Sequence, residues 1–254
     1  MSVLEERVRA EDGDVKLIPY LMAGYPDRDG CIAQGLAYAR AGAAAIEIGI
    51  PFSDPLADGP AVQRAGQVAL EGGMTVGRAL EVAAAVAEGG APVVLMSYVN
   101  PLLVYDERRF AAEAASAGVA GLIVPDLPAE EAEPLAGWVR SAGLDVVFMV
   151  APTSPDSRIA STAERSSGFV YCVTVKGVTG ARSELASGLE GLLGRVRRVT
   201  DLPVAAGFGI SRPEHIRALR GHADAAVVAS ALLERVHRGE DPVELVVELL
   251  AACR

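Results

Sequence analysis

The stretch "AAIEIGIPFSDPLADGP", residues 44–60, begins as an apolar run and ends as a loop crowded with proline and aspartate. Its first half is apolar at consecutive positions instead of alternating ones, the pattern of a strand covered on both faces, as in a parallel sheet. Glu47 interrupts that run between Ile46 and Ile48. A carboxylate there is expensive to bury unless something pairs with it or uses it. The second half carries Asp54 and Asp58 among Pro51, Pro55 and Pro60.

Working outward, the same kind of run recurs along the chain: "KLIPYLMAG" from Lys16, "PVVLMSYVN" from Pro92, "AGLIVPDLP" from Ala120, "DVVFMVAPT" from Asp145, "GFVYCVTV" from Gly168, "PVAAGFGIS" from Pro203 and "AAVVASALL" from Ala225. Segments with helical spacing lie between them. "VGRALEVAAAVAEGG" sets Val76, Leu80, Ala83, Val86 and Ala87 on one side and ends in Gly89. "SGLEGLLGRVRRV" does the same with Leu189, Leu192, Leu193, Val196 and Val199. Ala-Gly closes a helix ahead of a strand at Ala41-Gly42, Ala117-Gly118 and Ala142-Gly143, where glycine suits a left-handed cap. About eight strands alternating with helices imply an α/β fold, a (β/α)8 TIM barrel with an additional N-terminal helix, in a single domain over residues 1–254. A doubly wound open sheet is the alternative, but no glycine-rich dinucleotide fingerprint follows the first strand.

Composition narrows the function classes. The chain is 51% hydrophobic and 22% charged, with a net charge of −10 that disfavours a nucleic-acid partner. No apolar run approaches the roughly 18 residues of a membrane span, and the polar start lacks the core of a secretion signal. Cys31, Cys172 and Cys253 are odd in number and lack metal-ligand spacing, so a cytoplasmic protein without a metal is expected. Lysine occurs only at Lys16 and Lys176.

In a barrel of this type the reactive groups sit at the C-terminal strand ends and in the loops that follow. Those ends hold the unusual polar and glycine content here, which favours an enzyme over a scaffold. Glu47, late in its strand, reads as a general acid/base with a pKa raised by apolar neighbours, against the alternative of a carboxylate tied to an arginine or to backbone amides. Asp58 in Asp-Gly-Pro has a capping alternative, and Asp54 and Asp126 have a turn alternative. Gly180, Gly207 and Gly209 suit close backbone approach to a phosphate, and Ser230 can add a hydroxyl or a helix-start amide. His215, His222 and His237 are read on late helices, away from the strand ends. Lys176, at the mouth of a glycine-rich loop, opens an imine-forming route as a rival to carboxylate chemistry.

"IEIGIPFSDPLADGP", with "LIPYLMAGYPD", "MSYVNP", "VPDLP", "FVYCVTVKGVTG" and "AGFGIS" in order, closely resembles the tryptophan synthase alpha subunit family over essentially the whole chain. The resemblance implies a carbon–carbon lyase: retro-aldol cleavage of indole-3-glycerol phosphate to indole and glyceraldehyde 3-phosphate, in tryptophan biosynthesis. It places the proton donor at Glu47, the stabiliser of the ring cation at Asp58, and an active-site tyrosine at Tyr171. It implies substrate contacts at Tyr20, Tyr98, Thr179, Gly180, Phe208, Gly209 and Ser230, with a mobile loop over roughly 176–182. It implies a beta-subunit partner in an alpha2-beta2 assembly, touched around Asp54, Asn100 and Pro128. Pyridoxal phosphate is expected only on that partner, and no cofactor on this chain. Two departures stand out: Ala229 where the family usually has glycine before the serine, and Lys176. A stand-alone lyase releasing free indole, or a phosphate-binding barrel acting as a partner module, remain as alternatives.

Overall fold

The computed structural model describes residues 1–11, 13–173, 187–207 and 209–254. Its elements run α1 (Val3–Val8), β1 (Lys16–Met22), α2 (Arg28–Ala41), β2 (Ile46–Gly49), α3 (Pro60–Glu71), α4 (Val76–Ala87) and β3 (Val93–Met96). They continue with α5 (Val99–Tyr105), α6 (Glu107–Ser116), β4 (Val119–Ile123), a 3-10 turn at Ala129–Glu131, α7 (Leu135–Ser141), β5 (Asp145–Val147) and β6 (Met149–Val150). The last third holds α8 (Asp156–Arg165), β7 (Val170–Val173), α9 (Ser187–Arg197), β8 (Val204–Gly207), α10 (Pro213–Arg217), β9 (Ala225–Val228), α11 (Ser230–His237) and α12 (Pro242–Ala252).

Every strand pair is parallel, in the order β5-β4-β3-β2-β1-β9-β8-β7-β6. All eight apolar runs became strands, but "DVVFMVAPT" yields two, β5 and β6, separated by Phe148 alone. The Phe148 carbonyl still accepts a hydrogen bond from the Tyr171 N–H at 3.0 Å, so the sheet closes through this short break into a barrel.

Alternation along the strands explains two separate apolar layers. Ile46 and Ile48 pack outward with the helices, whereas Ala45 belongs to an inner cluster with Ile18, Val94, Ile123, Val147 and Val227. Leu4 and Val8 of α1 join that inner cluster, so the additional N-terminal helix plugs one mouth of the barrel. Burying two such side chains stabilises the fold by about 1.5–3 kcal/mol each. Ser2 caps α1 through the Glu5 N–H and donates its hydroxyl proton to Asp145 at the start of β5.

The helical faces follow the spacing, with one exception. In α9 Leu189, Leu192, Leu193 and Val196 are buried, but the helix stops at Arg197 and leaves Val199 largely exposed. Gly42, Gly118 and Gly143 take the left-handed conformation, with φ of 105°, 74° and 82°. Among the described residues no helix is long and apolar enough to cross a membrane.

Candidate active site

The open mouth of the barrel, at the C-terminal strand ends, encloses a cavity of about 990 Å³. Tyr20, Glu47, Asp58, Tyr171, Gly209 and Ser230 all line it, so residues from five strand ends, those of β1, β2, β7, β8 and β9, meet there. Thr179, Gly180, Phe208 and Lys176, with the whole 176–182 segment, lie outside the described residues.

Glu47 projects from β2 between Tyr20 on β1 and Val94 on β3. It is 1% exposed, and its Oε2 has no hydrogen-bond partner among the described residues. Among the described residues no arginine or lysine pairs with it, which favours the acid/base reading over the tied-carboxylate alternative. Burial, and secondarily the charge of Asp58, pushes its pKa from 4.5 to about 8. A shift in that direction favours the protonated form at neutral pH.

Asp58 sits in the loop between β2 and α3. The helix cap is Gly59, with no side-chain cap bond, and Pro60 is the first helical residue. The Asp58 carboxylate is thus not consumed by capping. Its backbone is pinned by Gln63 Nε2 donating to the Asp58 carbonyl at 3.0 Å, and the adjacent Ala57 N–H donates to the Tyr98 hydroxyl at 2.8 Å. Burial raises the Asp58 pKa to about 6, and a hydrogen bond from Tyr98 partly offsets that rise. The loop is drier than its polar sequence implies, yet Asp58 stays ionised at neutral pH. Two carboxyl groups in one cavity are therefore separated into an acid and an anion.

The tyrosines need room, and two strand glycines supply it. A Cβ on Gly49 would fall 1.9 Å from the Tyr20 hydroxyl, and one on Gly207 would fall 2.5 Å from the Tyr171 ring. Gly207 also lines the cavity, and its missing side chain is what leaves room for Tyr171. Tyr171 is buried, and burial with the nearby Glu47 charge raises its pKa well above 10. Tyr98 caps α5 and tilts against Phe52 at 5.4 Å, so it acts from behind the Asp58 loop instead of from the cavity wall.

The side of the cavity formed by the loops after β8 and β9 presents backbone. Gly209 has a φ of 51° and open space where a Cβ would point. Ala229 precedes α11 and makes no side-chain cap bond, which leaves the first amides of Ser230 onward available to an anion. His215 brings a correction: its Nδ1 accepts from the Ser211 N–H at 3.3 Å, so it braces the loop after β8. His222 lies in the turn after α10, not on a helix. Asp126 receives the Val99 N–H at 3.0 Å and anchors α5. Asp54 and Asn100 are exposed and outside the cavity, whereas Pro128, also exposed, lines its rim. The spacing gave no sign of Met96, Val124 or Phe148 as cavity walls, although each stands at or next to a strand's C-terminal end. No group of three or more metal-ligating side chains occurs among the described residues.

A family model described as "Tryptophan synthase alpha chain" matches residues 7–254. The chain is 50% identical to the tryptophan synthase alpha chain of Roseiflexus castenholzii over 239 residues, covering 92% of this chain and 91% of that one. It is 51% identical to that of Gluconacetobacter diazotrophicus over 219 residues, covering 85% and 80% respectively. Aminoacrylate-bound tryptophan synthase from M. tuberculosis superposes with a TM-score of 0.91 at 35% identity, covering 100% of both chains. The tryptophan synthase a2b2 complex of Pyrococcus furiosus gives 0.88 at 39% identity, covering 94% of this chain and 99% of that one. A family model over residues 7–254 and relatives about half identical over nearly the full length place the chain in the tryptophan synthase alpha chain family.

Proposed function

We propose that this chain cleaves indole-3-glycerol phosphate to indole and glyceraldehyde 3-phosphate, with Glu47 as acid and base and Asp58 as the counter-charge. Glu47 gives its proton to the ring carbon that bears the glycerol chain. The ring nitrogen becomes cationic, and the Asp58 carboxylate, hydrogen-bonded to the ring N–H, stabilises it. Glu47, now ionised, takes the proton of the hydroxyl on the first chain carbon. That oxygen's electron pair forms the aldehyde, the carbon–carbon bond breaks, and its electrons restore the aromatic ring. Glu47 ends protonated, so the cycle balances without any cofactor on this chain. Tyr20 and Tyr171 wall the ring site, while Gly209 and Ser230 hold the phosphate.

The observation that carries this reading is the buried Glu47, with Oε2 unpartnered among the described residues and its pKa pushed up to about 8, sharing a cavity with Asp58. Glu47→Gln and Asp58→Asn should each lower indole release by about 10²–10⁴-fold, the usual range for a lost acid or base. Turnover within a few fold of the parent in either variant contradicts the assignment.

A beta subunit bearing pyridoxal phosphate is the partner, in an alpha2-beta2 assembly. Leu56, 95% exposed, follows Asp54 in the catalytic loop, and Val104, 88% exposed, shares α5 with Asn100. Such apolar exposure beside the active-site loop fits a docking surface. Docking there gives the partner direct access to the Asp58 loop, so indole formation should rise when the beta subunit is added. Turnover unchanged by the partner favours the stand-alone lyase.

A further inference from the structure

The geometry points to Arg64 and Glu234 as a positioning pair that keeps the phosphate end of the cavity receptive to an anion and ties it to the Asp58 loop. The inference rests on the phosphorylated substrate proposed above. A phosphate monoester brings nearly two negative charges at neutral pH. By composition alone the cavity is ill suited to it: Glu47, Asp58, Asp126, Glu130 and Glu234 line it against Arg158 as the one basic side chain among the described residues.

Most of those carboxyl groups are accounted for. Glu47 is protonated, Asp58 serves the ring, Asp126 receives the Val99 N–H, and Glu130 lies 3.7 Å from Arg158. Glu234 is the remaining one. It stands four residues after Ser230 on α11, which puts it on the same helical face one turn from the anion cradle. Left alone, its charge opposes the phosphate through partly dry surroundings.

Arg64 meets it there, with Nη2 2.5 Å from Glu234 Oε1. Arg64 belongs to α3, whose first residue, Pro60, comes two positions after Asp58. The contact therefore links the helix that carries the cradle to the helix that sets the Asp58 loop. Tyr25, in the loop after β1, lies close enough to feel both charges. A half-exposed pair of this kind adds little to stability. Its main effect is the placement of charge.

The test is calorimetric binding of glycerol 3-phosphate to the full chain at low salt, with circular dichroism to verify folding. Arg64→Gln exposes the Glu234 charge and should weaken binding by about fivefold, with a matching rise in KM for the substrate and a smaller change in kcat. Glu234→Gln alone should bind at least as tightly as the parent. The double variant should recover to within about twofold of the parent, because the opposing charge has gone. A merely structural tie predicts no such rescue. Unchanged affinity in Arg64→Gln, or a double variant no better than Arg64→Gln, overturns the pair's role and leaves the lyase reading intact. Failure of the parent to bind glycerol 3-phosphate overturns both. If Arg64→Gln does not fold, weaker binding by Glu234→Gln than by the parent overturns the inference on its own.

Discussion

The two mouths of the barrel both bury carboxyl groups, and they treat them in opposite ways. At the plugged mouth Asp224 accepts the Val204 N–H at 2.8 Å and an Arg197 N–H at 3.1 Å, and Asp145 accepts the Ser2 hydroxyl. At the open mouth Glu47 is more deeply buried, yet its Oε2 has no partner among the described residues. A satisfied buried carboxylate organises the fold, whereas an unsatisfied one is kept at a cost that only chemistry explains.

The contrast is broken first by activity. The loss of about 10²–10⁴-fold expected for Glu47→Gln should have no counterpart in Asp224→Asn, which touches no reacting atom. A large turnover loss in folded Asp224→Asn, measured by indole release, contradicts the division of labour.

Stability should run the other way. The Glu47 carboxyl has a folded-state pKa of about 8, above its ordinary 4.5, so its protonated form is the one the fold favours. The parent should hold its full stability below pH 4.5 and lose it progressively as pH rises through 8. Glu47→Gln escapes that loss and should be more stable than the parent at pH 9 by roughly 3–5 kcal/mol, measured by urea unfolding. Parallel pH–stability curves for the two proteins contradict it. Asp224→Ala, by contrast, strands the Val204 N–H and should cost about 1–3 kcal/mol at neutral pH with turnover retained.

The smallest effect belongs to the anion cradle. Ala229→Gly frees the backbone next to Ser230 and should leave affinity for glycerol 3-phosphate equal or slightly better, by less than about 1 kcal/mol. A clear loss, read by calorimetry, means that the Ala229 methyl packs usefully against the ligand or its helix.

The barrel was legible because parallel strands covered on both faces are written as continuous apolar runs, and each of the eight produced strand. Glu47 was legible for the same reason, as a charge that did not belong in such a run. What local sequence could not show depends on neighbours from distant strands. The role of Gly207 is decided by the Tyr171 ring on the adjacent strand, and the break at Phe148 by how the barrel closes. His215 is a local case instead: α10 starts so soon after the β8 loop that the ring reaches Ser211, four residues back. Asp58 read as wetter than it is, since Tyr98 and the cavity wall that cover it come from elsewhere in the chain. The glycine-rich segment with Lys176, Thr179 and Gly180 lies outside the described residues, so its expected part in closure stays with the sequence.

The most direct test of the central claim is the protonation state of Glu47 itself, read from the carbonyl stretch in the infrared difference spectrum between carboxyl-labelled parent and Glu47→Gln. A protonated carboxyl band is expected at pH 7 that disappears with a midpoint near 8, while Asp58 is already ionised above its value of about 6. A Glu47 band that is absent at pH 7 and titrates near the ordinary 4.5 contradicts it, because an ionised Glu47 has no proton to give the indole ring.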